Sequence, residues 1–231
     1  MIAASDAEFA RGQRRYFQHE VDTYGVRTVQ LTAIERSAYA ALKKWPPEQR
    51  NAAMELLWQS GKLESGAIAC HVSRRFAKTF TRADFKLFAG WIDAYSRNWA
   101  HTDGIGTWLL AGCIRNEPEL RLKLVPWTRS RSRWKRRAAA VALMQEARAG
   151  HHTEFILDIA SRLLPDRDPM VEKGVGWLLK ETYPKRPKET MAFLLENQER
   201  ASRLTLRYAA EKMTARDRAI LLKLHPEDRP R

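Results

Sequence analysis

One pattern recurs along this chain at a nearly constant interval. A polar residue is followed by small residues and then by larger apolar ones at helical spacing. The polar residues are Asp103, Arg137, Lys173 and Arg207, and their separations are 34, 36 and 34 residues. A period in this range is typical of stacked helical pairs. Because equivalent positions of such repeats line one concave wall, we expect these four residues to form a row, with one carboxylate among cations.

The rest of the sequence also predicts helices. Apolar residues recur at helical spacing in nearly every long segment, and prolines and glycines cluster between the segments. No stretch alternates apolar and polar residues with β-branched enrichment, so the fold class is all-α, and an array of helical pairs is favoured over a compact bundle. We expect a single domain over residues 1–224, a flexible tail at 225–231 and a first helix over roughly residues 6–22.

The charge of the chain indicates a polyanionic partner. The formal net charge is +14, which most often accompanies nucleic-acid binding. A basic surface without a specific partner and an acidic protein partner are the alternatives. An anionic membrane is disfavoured, since the sequence has no basic amphipathic terminus and no lipidation signal. The longest apolar runs span about seven residues, too few to cross a bilayer.

The sequence has no recognisable cofactor or metal motif. Cys70 and Cys113 have neither disulfide nor metal-ligand spacing, and we expect both to be buried thiols in a reducing compartment. A phosphate-binding loop and a dinucleotide fingerprint are also missing, so we expect no cofactor and no metal. The N-terminal residues contain no apolar signal-peptide core, which favours a cytoplasmic, nucleoid-associated protein.

Two of the recurring polar residues share a helix face with a tryptophan. Trp99 and Asp103 are four residues apart, as are Lys173 and Trp177. Asn98 is expected to cap the first of these helices and to place Asp103 in its first turn. There the helix dipole alone would favour a carboxylate, which is the structural alternative to a catalytic role. Core packing is the corresponding alternative for Trp99.

Two further features have both a structural and a functional interpretation. Residues 129–137 hold six basic residues in nine, which suits either a solvated loop or backbone phosphates. Gly174 and Gly176 are costly inside a helix, so either a neighbouring helix or a ligand approaches closely there.

Taken in order, these blocks resemble the AlkD family of DNA alkylation-repair glycosylases. The resemblance covers about residues 10–220 and rests on the following blocks: Arg15-Tyr16-Phe17, Tyr24-Gly25-Val26, Trp99-x-x-x-Asp103, Trp134-x-x-Arg137-Ala-Ala and Lys173-x-x-Gly176-Trp177. It implies a curved solenoid of HEAT-like antiparallel helical repeats. It also implies a monomer that hydrolyses the N-glycosidic bond of cationic alkylated purines, such as N3-methyladenine and N7-methylguanine, in double-stranded DNA.

The resemblance assigns roles to individual residues. Asp103 matches the catalytic aspartate, Trp99 and Trp177 match the tryptophans that flank it, and Arg137 matches an arginine that holds the DNA backbone. Contacts with DNA are further expected from Tyr16, Arg15, Trp134, Lys135, Arg136, Lys173 and Arg207. The chain departs from the family at Ala100, His101 and Thr102, which puts the fine shape of the site in question.

The chemistry suits these residue types. A cationic purine leaves without a general acid, and a carboxylate stabilises the positive charge that develops on the sugar and orients the attacking water. Tryptophan faces attract a cationic base. The alternatives are a non-catalytic HEAT-repeat protein that binds branched or distorted DNA and a protein-binding scaffold. A carboxylate in the groove favours catalysis over non-catalytic DNA binding, because it would only repel phosphates, and the net charge favours nucleic acid over a protein partner.

Overall fold

The computed structural model describes residues 1–17 and 21–223, and every regular element within these ranges is helical. The predicted all-α class is therefore confirmed. The chain divides into two compact units, Met1–Pro118 and Glu119–Arg231. The single domain over residues 1–224 stays a prediction, and the proposed tail at 225–231 lies outside the described residues.

The first unit consists of short helices around a core that includes Trp58, Phe88 and Trp91. Its α-helices are α1 (Ala7–Arg14), α2 (Thr28–Leu42), α3 (Pro47–Gln59), α4 (Leu63–Ser73), α5 (Arg82–Tyr95), α6 (Trp99–Gly104) and α7 (Ala111–Asn116). Two 3-10 segments, Ile2–Ala4 and Arg74–Thr79, and a π-helical segment, Ile105–Leu110, complete it. A capping box between Thr81 and Asp84 begins α5.

The first helix is shorter than predicted. It ends at Arg14, and after the undescribed residues 18–20 the chain runs without regular structure through residues 21–27. The buried Glu64 carboxylate holds this stretch, because it accepts the Thr23 hydroxyl at 2.6 Å and the N–H groups of Tyr24, Gly25 and Val26 at 2.8–3.1 Å. Burial by itself would raise the pKa of Glu64, but these hydrogen bonds lower it below its ordinary value.

The helix that Asn98 was predicted to cap is continuous through Asn116 but not uniformly α-helical. Asn98 caps it by accepting the His101 N–H, as predicted, and the π segment separates α6 from α7. The Thr107 hydroxyl donates to the Asp103 carbonyl at 2.7 Å, and such side-chain bonds compete with the backbone ladder. Segments of π-helix within α-helices are frequent at functional sites, and this one begins two residues after Asp103.

The second unit opens with 3-10 turns and continues as paired helices. After Pro118–Leu124 and Pro126–Arg129 come α8 (Arg133–Val141), α9 (Met144–Ala149), α10 (Thr153–Leu163), α11 (Pro169–Thr182), α12 (Pro187–Glu196), α13 (Arg203–Ala209) and α14 (Ala215–Lys223), with a 3-10 segment at Ala210–Lys212. Gly150 closes α9 in the left-handed conformation, with φ of 75°, and Asp168 caps α11 ahead of Pro169.

The repeat phase predicted from the sequence is confirmed by the helix starts. Each of α6, α8, α11 and α13 has an N-cap side chain that accepts a backbone N–H, from Asn98, Ser132, Asp168 and Ser202 respectively. The four recurring polar residues are in every case the fifth residue of the helix that follows. Asp103 therefore lies beyond the first turn, so the prediction that it sits within that turn was wrong.

Glycines allow the helices of the second unit to pack closely. Helix α11 packs against both α8 and α13. A Cβ added at Gly174 would lie 3.2 Å from the Arg137 side chain of α8. One added at Gly176 would lie 2.5 Å from the Tyr208 Cβ and 2.8 Å from the Thr205 carbonyl of α13. The close approach of the neighbouring helices α8 and α13 therefore explains why glycine occupies both positions.

Replacing Gly176 by alanine is expected to destabilise the protein. The gain in helix propensity is about 1 kcal/mol, but the new methyl group meets backbone that cannot move cheaply, and overpacking costs about 1–3 kcal/mol or more. Gly90 of α5 is the matched control, because nothing lies within 4 Å of its added Cβ. Urea unfolding should show a lower midpoint for Gly176→Ala and an unchanged or higher midpoint for Gly90→Ala. Equal shifts would contradict the packing interpretation.

Candidate functional site

Trp99, the first residue of α6, is held by the segment that follows α1. Its indole Nε1–H donates to the Tyr16 carbonyl at 3.4 Å, and the Phe17 ring stacks on it with centroids 5.3 Å apart and an interplanar angle of 18°. Trp99 is half-buried, whereas 79% of Tyr16 is exposed. The contact of Tyr16 with Trp99 is made by the Tyr16 backbone, and the predicted contact of Tyr16 with DNA stays a prediction.

A mostly apolar groove of about 840 Å³ lies beside Trp99 in the first unit. Among the described residues its walls include Phe9, Phe17, Leu31, Leu63, Trp99 and Ala100. The polar residues of the lining include Gln13, Arg15, Tyr16 and Glu64, and the Glu64 carboxylate already accepts the backbone N–H groups of residues 24–26. The groove has the size and aromatic lining to accept a flat ring system.

Asp103 lies one helical turn beyond Trp99 on the same face of α6 and is half-buried. Three residues between them depart from the family pattern, and two of these point away from the groove. His101 and Thr102 are buried in the core of the unit, where the His101 ring meets the Trp58 ring edge-on. Burial lowers the pKa of His101 to about 4, so this residue is neutral at physiological pH. Only Ala100 among the three departures lines the groove.

The cysteines of the first unit are structural, as predicted. Cys70 and Cys113 are both buried, and burial raises the pKa of each thiol. Within residues 1–17 and 21–223 no group of three or more His, Cys, Asp or Glu side chains is arranged to hold a metal ion. Over the same ranges no helix is long and apolar enough to cross a bilayer.

Arg137 is too buried for phosphate binding to be its only role. It is 5% exposed, and its Nη1 donates to the Met170 carbonyl at 2.5 Å. Its aliphatic part fills the space that Gly174 leaves on α11. Arg137 thus joins α8 to α11, and little of its surface remains for DNA.

The basic cluster at 129–137 is partly neutralised within the second unit. Arg136 donates to Asp166 at 2.5 and 3.4 Å and to the Ser130 carbonyl at 2.8 Å, and Arg133 pairs with Asp168 at 3.2 Å. The Lys135 ammonium lies 5.2 Å from the centre of the Trp127 ring, and Trp134 is half-buried. The exposed cations of the cluster are Arg129 and Arg131, which the sequence-based list of DNA contacts omitted.

The remaining predicted residues of this unit lie on α11 and α13. The half-buried Lys173 places its ammonium 6.0 Å from the centre of the Tyr208 ring, and Arg207 is exposed. Trp177 is half-buried, and its indole N–H donates to Glu181 at 3.2 Å. Glu181 was not predicted, although its position four residues after Trp177 was a visible signal.

The family model described as DNA alkylation repair enzyme matches residues 1–213, nearly the whole chain. The chain belongs to this family. A solved structure described as a predicted DNA alkylation repair enzyme from Enterococcus faecalis superposes with a TM-score of 0.81 at 14% sequence identity, covering 91% of this chain and 97% of that one. At this identity the likeness shows the fold, and it supports the helical-repeat class. No curated protein matches the sequence.

Membership in the DNA alkylation repair family confirms the resemblance found from the sequence. Phe17 is an additional candidate site residue, because it stacks on Trp99, the tryptophan that the resemblance places beside the lesion. The sequence contained Phe17 within the N-terminal block but gave no reason to connect it to Trp99, since their contact spans 82 residues of chain.

Proposed function

We propose that this member of the DNA alkylation repair family is a DNA glycosylase that releases cationic alkylated purines, such as N3-methyladenine and N7-methylguanine, from duplex DNA. The observation that carries the proposal is the shared face of α6, where the half-buried Asp103 follows Trp99 by one turn and Trp99 itself lines an aromatic groove. A carboxylate at this position can stabilise a developing positive charge, whereas it would repel a phosphate.

Asp103 is the catalytic residue of this proposal. As the bond between the sugar and the cationic base breaks, the base leaves as a neutral purine and positive charge moves onto the deoxyribose. The Asp103 carboxylate stabilises that charge and orients the water that attacks the sugar carbon. No general acid is needed, because the base already carries its positive charge.

Trp99 contributes selectivity for charge. The face of an indole attracts a nearby cation by about 0.5–2 kcal/mol, so a methylated, cationic purine is favoured over a neutral one. The contacts with Phe17 and Tyr16 hold the indole in place before DNA arrives. Trp177 is the second tryptophan that the family resemblance assigns to the lesion.

Cations of the second unit bind the DNA backbone in this proposal. Arg207 and the pair Arg129 and Arg131 are exposed, and Lys173 is half-exposed. Phosphate contacts of this kind supply affinity and register without reading the base sequence.

The decisive experiment measures modified bases released from duplex DNA treated with a methylating agent. The purified protein is expected to release 7-methylguanine or 3-methyladenine in proportion to time and enzyme, with untreated duplex as the control. If the wild-type protein binds duplex DNA tightly but releases neither base, the glycosylase proposal is wrong and a non-catalytic binder of distorted DNA takes its place.

Replacing Arg137 by alanine is expected to weaken binding to duplex DNA of any sequence and to slow base release. Arg137 is only 5% exposed, so its loss should reduce the slope of log affinity against log salt by at most about 1, the value for one phosphate contact. Because Arg137 also joins α8 to α11, affinity is compared only at temperatures where melting curves show the variant folded. Arg162→Gln is the control, since Arg162 pairs with Asp158 at 2.9 Å on α10. Wild-type affinity for Arg137→Ala would restrict this residue to a packing role.

A further inference from the structure

The Glu181 carboxylate stands at the centre of a small network in the second unit. Glu181 is 6% exposed, and three side chains donate to it. The Trp177 indole N–H donates to Oε1 at 3.2 Å, while Arg148 and Lys212 donate to Oε2 at 3.1 and 2.7 Å. The two cations come from α9 and from the 3-10 segment that follows α13, so three elements converge on one carboxylate.

The two oxygens of the Glu181 carboxylate have different hydrogen-bond partners. Both cations bind Oε2 and are themselves about half exposed, at 52% for Arg148 and 46% for Lys212. Oε1 is left to the indole. Burial would raise the pKa of Glu181, but the hydrogen bonds and charges of Arg148 and Lys212 outweigh it and lower the pKa to about 2. The carboxylate is therefore ionised throughout the neutral range.

An ionised acceptor on the indole N–H has two consequences for Trp177. Charge-assisted hydrogen bonds are roughly twice as strong as neutral ones, so the ring is fixed in rotation about its side-chain bonds. The negative charge at the N–H edge also pushes electron density into the ring. Since the attraction between a cation and an indole face is electrostatic, a more electron-rich face binds a cation better.

We propose that Glu181 is a positioning residue that fixes the Trp177 indole and strengthens the preference of its face for a cationic base. This inference rests on the proposed function, because it takes the cation to be an alkylated purine. Arg148 and Lys212 also contribute to this role of Glu181. They keep the carboxylate ionised and fixed while their exposed ends remain on the surface.

A purely structural role is the competing explanation, because the same network links α9, α11 and the 3-10 segment. Two variants and a matched control separate the roles. Glu181→Gln keeps an acceptor of similar shape and removes the charge, whereas Glu181→Ala removes both. Glu211→Gln is the control, since Glu211 pairs with another residue of α11, Lys180, at 2.7 Å.

The first measurement is the indole N–H resonance of Trp177 in the proton–nitrogen NMR spectrum, assigned by its loss in Trp177→Phe. We expect this resonance to move upfield in Glu181→Gln and further in Glu181→Ala, and to stay in place in Glu211→Gln. An unmoved resonance in both Glu181 variants, or an equal shift in the control, overturns the positioning role. The readout needs no DNA, so it stands apart from any failure of the proposed function.

The second measurement compares two duplexes that differ in the charge of one base. One contains 2′-fluoro-stabilised 7-methylguanine, which is cationic, and the other contains 7-methyl-7-deazaguanine, its neutral isostere. The wild type should prefer the cationic duplex, and Glu181→Gln should reduce the affinity ratio by about 3- to 10-fold, within the range of cation–π energies. Glu211→Gln should leave the ratio unchanged. If Glu181→Gln leaves the ratio of the two duplex affinities unaltered, the positioning proposal is wrong. This holds even if base release from methylated DNA shows that the protein is a glycosylase.

Discussion

Replacing Asp103 by asparagine is expected to slow release of 7-methylguanine or 3-methyladenine by roughly 10²-fold or more, as for the loss of one preorganised electrostatic group. Asparagine keeps the size of the side chain and most of its hydrogen-bonding capacity but removes the negative charge. The variant therefore lacks the charge that, in the proposed mechanism, stabilises the positive charge developing on the sugar. The rate is measured under single-turnover conditions, so that product release does not mask the effect.

Binding and folding of the Asp103→Asn variant are expected to survive. One repulsive charge leaves the DNA-binding surface, so affinity for unmodified duplex should hold or increase. Asp103 is the fifth residue of α6, and its contribution to the helix dipole is small because that effect is confined to the first turn. Asp93→Asn, at an exposed position of α5, is the control for a general change of charge. Unchanged base release in Asp103→Asn, with the control also unchanged, would remove Asp103 from the mechanism.

The phase of the repeat was predictable because its signals are local. Asn98 and Asp168 are of residue types that favour helix N-caps. The recurring polar residue lies five positions after each of them. The pairing of Trp99 with Asp103 on one face follows from the same phase. Local hydrogen bonds and helical periodicity thus gave both the fold class and the position of the candidate catalytic carboxylate.

Interactions between distant segments were not predictable in the same way. The first helix ends early because Glu64, about forty residues later, binds the backbone at 24–26. Arg136 was assigned to DNA from the density of positive charge, and only the fold shows that Asp166 takes its guanidinium. Arg137 is buried for a similar reason, since a glycine of α11 leaves room for it. The sequence shows where cations occur but not which of them the fold has already paired.

The distinction between paired and exposed cations leads to the last prediction, a steep fall of duplex affinity with salt. The count of 41 lysines and arginines overstates the number of cations available to DNA, because Arg136, Arg148 and Lys212 each bind a carboxylate. If about five phosphates are neutralised, log affinity should fall against log salt with a slope of about −4 to −5. Between 50 and 200 mM salt the affinity should therefore drop by roughly 250- to 1,000-fold.

Single substitutions test whether the slope comes from the cations that the structure leaves exposed. Arg131→Gln removes an exposed cation of the 129–137 cluster and should reduce the slope by about 0.9, the value for one phosphate. Arg162→Gln removes a cation that Asp158 already neutralises and should leave the slope near that of the wild type. Each titration uses one salt and one unmodified duplex, so that base release does not enter. A flat salt response of the wild type would contradict electrostatic binding to DNA. Equal effects of the two substitutions would mean that net charge, rather than the exposed cations of the second unit, sets the affinity.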